Sequence, residues 1–167
     1  MAGALVALAE QLQGICLGRR LTVALAESCT GGLIAATITS VAGSSGYFLG
    51  GVVSYSNEAK EAFLDVPRAT LDTHGAVSAQ VAKAMATGAR ARFAADLALG
   101  ITGIAGPEGG SEAKPVGLTY LGLADREAAD VRRFVFEGDR AGNREAGTRA
   151  ALGWLIERAE TAPGRSS

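Results

Sequence analysis

The sequence predicts an α/β fold: a three-layer α/β/α domain with a mixed, mostly parallel sheet of about five strands. Two observations lead there. In the earlier part of the chain, short apolar runs of strand length alternate with segments whose apolar residues recur at helical spacing. Near the C-terminus, two strand-like runs follow one another with only a polar turn between them. Helical crossovers between the early strands imply parallel neighbours, and the late hairpin forces one antiparallel neighbour.

In chain order, Leu5, Leu8, Leu12 and Ile15 mark a first helix, with polar Glu10, Gln11 and Gln13 between them. LTVALAE, Leu21 to Glu27, suits a strand buried on both faces. It runs into SCTGGLIAATITSVAG, where Leu33, Ile34, Thr37, Ile38 and Val41 mark the second helix. Gly50 to Tyr55 reads as the second strand, Asn57 to Leu64 as a short helix, and Pro67 to Thr73 as another. Ser78 suits the N-cap of a helix carrying Val81, Ala82, Met85, Ala89 and Phe93. Leu97 to Thr102 is the third strand, and GITGIAGPEGGSEAKP is a turn-rich loop. VGLTYLGLA and VRRFVFEG are two strands joined around Asp125 to Ala128. A last helix, Asp139 to Ala159, buries Trp154, Leu155 and Ile156. One domain is expected over residues 1–160, with 161–167 a frayed tail.

Composition bounds the function. A chain of 167 residues, 48% hydrophobic and 20% charged, is globular and long enough for one real core. A net charge of −1 with dispersed Lys and Arg lacks the basic footprint that nucleic-acid binding needs. The N-terminal stretch has no positive n-region, and no segment approaches the ~18 apolar residues of a membrane span. A cytoplasmic protein with no membrane partner is therefore expected. Cys16 and Cys29 make neither a disulfide framework nor a metal-ligand spacing, and no His/Cys/Asp cluster offers to hold an ion. Neither metal nor cofactor is expected.

The sharpest candidate for chemistry is AESCTGG, Ala26 to Gly32. It places Ser28 where a buried strand ends and a helix begins, and open α/β folds bind ligands at the carboxyl ends of their strands. A helix start offers unpaired N–H groups and the positive end of the dipole, suited to an anion or to an oxyanion. Thr30, Gly31 and Gly32 are the expected donors, the glycines also allowing close approach. The plain alternative is an N-cap and a tight connection. Cys29 is an adjacent nucleophile candidate that reads better as a wall.

A serine nucleophile needs a base. His74, the single histidine, lies in a loop-like stretch remote from the motifs, so a Ser-His-Asp arrangement has no support. A lysine serves if burial lowers its pKa. Lys60, after the second strand in GVVSYSNEAK, can emerge at the same sheet edge as Ser28, with Tyr55 placed to orient it or touch substrate. The alternatives are a solvated lysine and a packing tyrosine. Thr102, Gly103, Ala105 and Gly106 open a loop rich in glycine that presents backbone to a ligand, although it lacks the ending of a P-loop. Arg140 and Arg144 stand four apart at the start of the last helix, where cations oppose the dipole, so an anionic ligand is one reading and ion pairing the other. AGSSG, Ala42 to Gly46, is similar to a stretch of the amidase-signature enzymes, but that family needs a far longer chain; here it reads as a loop.

Taken together, AESCTGGLIAATIT, YFLGGVVSYSNEAK, GITGIAGPEGGSEAKPVGLTYLG and GDRAGNREAGTRAAL resemble, in order and over nearly the whole chain, the CinA C-terminal-domain family in its stand-alone form. These are the nicotinamide mononucleotide deamidases. The resemblance implies hydrolysis of nicotinamide mononucleotide to nicotinate mononucleotide and ammonia, in pyridine-nucleotide salvage. It implies a serine nucleophile and lysine base at Ser28 and Lys60, with Tyr55 on the family's tyrosine. Thr102 and the glycines after it fall on its substrate loop, and Arg140 falls on an arginine of its last block, with Arg144 taken beside it. The pyrophosphatase-like domain that many relatives carry is not matched by these residues, and its activity is not expected. A small-molecule substrate and a homo-oligomer, most simply a dimer, are the expected partners. The rivals are a nucleotide-sensing module without catalysis and an amidase for another small carboxamide.

Overall fold

The computed structural model describes residues 2–166; Met1 and Ser167, at the ends of the expected domain and tail, lie outside the described residues. Along the chain come α1 (Ala2–Arg19), β1 (Val23–Glu27), α2 (Leu33–Thr39), a 3-10 turn (Ser44–Gly46), β2 (Phe48–Val53), α3 (Asn57–Leu64), α4 (Arg68–His74) and α5 (Ala79–Phe93). Then follow β3 (Leu97–Gly103), β4 (Leu118–Ala124), β5 (Ala129–Val135) and α6 (Arg140–Thr161). The sheet order is β2-β1-β3-β4-β5. β1 pairs in parallel with β2 and β3, while β4 is antiparallel to both β3 and β5. β4 alone runs against the rest, so the sheet is mostly parallel in strand direction. Its pairings divide evenly, with two antiparallel neighbours where the hairpin alone predicted one. The connection from β3 to β4 is a loop without a helix, and it reverses the chain beside β3.

The expected three layers are present. On one face α1, α2 and α6 pack Leu12, Cys16, Ile34, Ile38, Leu152 and Leu155 against Val23, Leu25, Leu99, Ile101 and Leu121. On the other, Leu64, Leu71, Val81, Met85 and Ala89 cover Ala24, Ala26 and Ala98. Strand side chains alternate between faces, so VALAE sends its large residues one way and its alanines the other. Small residues are needed on the second face because α5 lies almost on the backbone of the sheet. A Cβ at Gly100 would come within 2.8 Å of the Ala82 carbonyl oxygen, and one at Gly122 within 2.2 Å of the same atom. Gly122→Ala therefore has to push a buried helix outward. The expected loss is about 1–3 kcal/mol, read as a lower denaturant midpoint at unchanged m-value; an unshifted midpoint would show that α5 can give way.

Strand boundaries moved: β4 begins at Leu118 rather than Val116, and β5 covers Ala129–Val135 rather than Val131 to Gly138. β1 begins at Val23 rather than Leu21, and β2 covers Phe48–Val53 rather than Gly50 to Tyr55. Ser54 and Tyr55 leave the strand because their carbonyls turn toward Lys60, which donates to both. The tail also departs from expectation. Ala162 is buried, the Arg165 N–H donates to the Arg19 carbonyl at 3.1 Å, and the Arg165 guanidinium pairs with Asp96 at 3.0 Å. Asp96 is nearly buried at the amino end of β3 and also accepts from Thr22 N–H and from Arg126. Burial alone would raise its pKa, but the hydrogen bonds from Thr22 and Arg165 hold it below the usual carboxylate value. A buried carboxylate in that position ties the tail down.

Candidate active site

The chain leaves β1 toward β2 on one side and reaches β3 on the other, so the carboxyl ends of β1 and β3 flank a topological switch point, where open α/β sheets bind ligands. Ser28 directly follows β1, and its N–H donates to the Ile101 carbonyl of β3 at 3.0 Å. Opposite it stands α3, capped by Ser56, whose side chain accepts from the Ala59 N–H. One turn into that helix Lys60 points inward, only 1% exposed. Its Nζ lies 3.0 Å from Ser28 Oγ, 2.7 Å from the Ser54 carbonyl oxygen and 3.3 Å from that of Tyr55. Among the described residues no carboxylate pairs with it. Burial without a counter-ion pushes its pKa below the ordinary lysine value.

The turn from Ser28 to Gly32 is held on every side. Gly31 and Gly32 adopt left-handed φ values of 59° and 99°, which explains the glycine pair. The first N–H groups of α2 are not free, contrary to the expectation from its position. Leu33 donates to the Thr30 carbonyl and Ala36 to that of Gly32. Ile34 and Ala35 donate to the two oxygens of Glu27 at 2.9 and 3.0 Å. Gly31 donates to the Ser28 carbonyl. The N–H groups of Cys29, Thr30 and Gly32 have no acceptor in another residue among the described residues, and those of Thr30 and Gly32 are two of the donors open to a ligand beside Ser28.

Glu27 was not among the residues singled out from sequence. It is 2% exposed and also accepts from the Thr30 hydroxyl at 2.7 Å. A charged residue closing an apolar strand was the available signal. Asn143 was likewise missed: its Nδ2 donates to the Ala105 carbonyl and its Oδ1 accepts from the Gly138 N–H, pinning the glycine-rich loop to α6. Ser54, whose buried hydroxyl has no partner, completes the surroundings of Lys60.

The arginines come to the same end of the sheet. Arg140 donates through Nη1 to the Gly106 carbonyl at 2.8 Å and through Nη2 to the Tyr55 hydroxyl at 3.1 Å. Arg144 donates to the Thr30 carbonyl at 2.8 Å. With Pro107, Asp139 and Ala141 they line a cavity of about 420 Å³. A larger cleft of about 610 Å³ lies at the amino ends of β1 and β3, but there Arg126 and Arg165 each already pair with Asp96.

Other expected site residues turn out to be bound up in the fold. The Thr102 hydroxyl donates its proton to the Ala76 carbonyl at 2.9 Å, so it can only accept from a ligand. Gly103 is small for packing: a Cβ there would meet the Leu118 carbonyl and the Thr119 hydroxyl, each at 2.8 Å. Burial pushes the Cys29 thiol up to about 11, which leaves it protonated near neutrality and a poor nucleophile. His74 closes α4, its carbonyl accepting from Lys114, and no hydrogen bond joins its ring to Ser28. No group of three or more His, Cys, Asp or Glu among the described residues could hold a metal ion. Nor, among the same residues, is any helix long and apolar enough to cross a membrane.

Residues 5–159 match the CinA C-terminal domain. The chain belongs to that family. Curated CinA-like proteins are similar: that of Citrifermentans bemidjiense is 57% identical over 148 residues, which is 87% of this chain and 36% of that protein. That of Geobacter sulfurreducens is 59% identical over 142 residues, 85% of this chain and 34% of the relative. The chain thus spans about a third of the length of the curated relatives it matches. Among solved structures, the competence/damage inducible protein CihA from Agrobacterium tumefaciens superposes with a TM-score of 0.89 at 43% identity, covering 92% of this chain and 94% of that one. A CinA superfamily protein from Klebsiella pneumoniae gives 0.91 at 33% identity, covering 95% and 99%. The three-layer CinA fold is shared by all three chains.

Proposed function

We propose that this chain hydrolyses the carboxamide of nicotinamide mononucleotide, releasing ammonia and nicotinate mononucleotide, with Ser28 as nucleophile and Lys60 as base. The observation that carries the reading is the 3.0 Å approach of a buried lysine, free of any carboxylate partner, to Ser28 Oγ. A neutral Lys60 amine donates its two protons to the Ser54 and Tyr55 carbonyls, which turns its lone pair toward the Ser28 hydroxyl. Ser28 Oγ attacks the carboxamide carbon as its proton passes to Lys60 Nζ. The N–H groups of Thr30 and Gly32 receive the oxyanion. When the intermediate collapses the carbon–nitrogen bond breaks, the lysine returns the proton to the leaving nitrogen, and ammonia departs. Water then attacks the acyl-enzyme, with Lys60 taking one of its protons and restoring the Ser28 hydroxyl.

Arg140 is assigned to the 5′-phosphate, together with the backbone from Gly103 to Gly106. Two guanidinium N–H groups are engaged by Gly106 and Tyr55, which leaves the others for a ligand in the adjoining cavity. Tyr55, 61% exposed, stands beside that arginine.

The test is ammonia release from nicotinamide mononucleotide, set beside the same nucleoside without its phosphate. Turnover of the nucleotide and weak turnover of the nucleoside are expected. Arg140→Met should raise KM for the nucleotide on the order of tenfold or more while changing the nucleoside rate little. Equal turnover of both compounds by the wild type would shift the reading to another small carboxamide. Binding of the nucleotide without any ammonia release would point to a sensing module.

A further inference from the structure

The Thr30 peptide is gripped from two layers at once. From beneath, the Glu27 carboxylate accepts from the Thr30 hydroxyl and from the N–H groups of Ile34 and Ala35. From α6, the Arg144 guanidinium donates to the Thr30 carbonyl at 2.8 Å and lies 3.5 Å from where a Gly31 side chain would begin. The Gly31 N–H, the other end of that peptide, donates back to the Ser28 carbonyl. Apart from the Arg144 contact, which joins residues 114 apart in sequence, these are local bonds, and all of them converge on the turn after Ser28 where the Thr30 and Gly32 N–H groups have no protein acceptor. Glue of this kind is more than helix N-terminal capping. Gly32, the cap position itself, makes no side-chain cap, and the carboxylate acts from five residues upstream.

We propose that Glu27 and Arg144 are positioning residues for catalysis: together they clamp the Ser28–Gly32 turn so that the Thr30 and Gly32 N–H groups stay aimed at the oxyanion. Glu27 holds the turn by its side chain and helix, and Arg144 holds it by its backbone. The inference deepens the Ser28–Lys60 reading and rests on it. It gives Arg144 a role apart from Arg140: Arg140 reaches the glycine-rich loop and the cavity, whereas Arg144 reaches the catalytic turn.

A neutral fluorophosphonate probe tests the clamp apart from substrate recognition, since it needs only a reactive serine and its oxyanion donors. Ser28 Oγ forms a bond to phosphorus, fluoride leaves, and the serine proton passes to Lys60. Phosphonylation rates would be compared for the wild type, Glu27→Gln and Arg144→Met, with folding checked by circular dichroism. Glu27→Gln replaces one accepting oxygen by an amide that cannot accept, so one edge of the grip is lost. Slowing by about tenfold or more in both folded variants is expected, accompanied by a fall in kcat for the nucleotide at nearly constant KM. Thr30→Val, which removes only the hydroxyl that Glu27 holds, decides the Glu27 half if Glu27→Gln fails to fold. Unchanged labelling in folded variants would overturn the clamp while leaving Ser28 as nucleophile. For Arg144→Met, unchanged labelling with a raised KM would instead make Arg144 a substrate contact. A wild type that neither reacts with the probe nor releases ammonia would remove the Ser28 reading itself, and the clamp with it.

Discussion

Ser28→Ala is expected to lower ammonia release by at least about 10⁴-fold, the scale on which loss of an enzymic nucleophile is felt, while the protein remains folded and still binds the nucleotide. The folded state gives up one hydrogen bond, between Ser28 Oγ and Lys60 Nζ, a loss of about 1 kcal/mol. Lys60 keeps its two carbonyl acceptors, and the backbone N–H of Ser28 keeps its bond to Ile101. Nothing nearby can take over the attack. Cys29 is the neighbouring nucleophile, but its thiol is buried and held protonated, and it packs toward Gly103. Binding survives because Arg140 and the loop backbone are untouched, so saturating nucleotide should still raise the melting temperature of the variant. A folded Ser28→Ala protein that turns over at the wild-type rate would remove serine from the mechanism.

Lys60→Met separates rate from stability even more sharply. Methionine retains most of the apolar stem and deletes the amine, so kcat/KM should drop by about 10³-fold or more. Stability is expected to respond in the opposite direction at low pH. Burial lowers the Lys60 pKa in the folded protein below its value in the unfolded chain. Between those two values the unfolded state binds the extra proton, so wild-type stability rises with pH across that window, and below it the full penalty of burying the ammonium remains. The methionine variant has no such slope. Its stability relative to the wild type should therefore be greatest in acid and shrink as pH rises toward the ordinary lysine range, as parallel thermal melts at several pH values would show. The same protonation governs rate: wild-type kcat/KM should climb with pH along a limb whose midpoint lies below the ordinary lysine pKa. A rate that is flat across that range would mean that Lys60 is not the base.

The parts of this protein that were legible in sequence are those set by neighbours along the chain. The helix Asn57–Leu64 and the N-cap Ser78 were read correctly because a capping hydroxyl and helical periodicity act within one or two turns. The β4–β5 hairpin was legible for the same reason. Ser28 and Lys60 stood out because each follows a recognisable strand, and parallel strands bring their carboxyl ends to one edge. β2 was misplaced by two residues because a parallel strand is bounded by its partner, and the Ser54 and Tyr55 carbonyls are drawn away by a side chain of the following helix.

By itself, then, the sequence determined the layer order, the strand-end positions of the serine and lysine, and membership of a family recognisable from four motifs. The first two follow from local periodicity, capping and chain direction, and the last from the resemblance of those motifs. Only the tertiary structure decided that α2 keeps no free N–H for a ligand, that Thr102 has given its proton to Ala76, and that Arg144 grips Thr30. It also decided that Arg165 ties the tail to Asp96. The last three depend on where a polar hydrogen finds its acceptor across a long stretch of chain, and the first on a carboxylate that folds back from the end of β1. Periodicity carries no information about that choice, because it is settled by which buried groups would otherwise be left unpaired once the layers close.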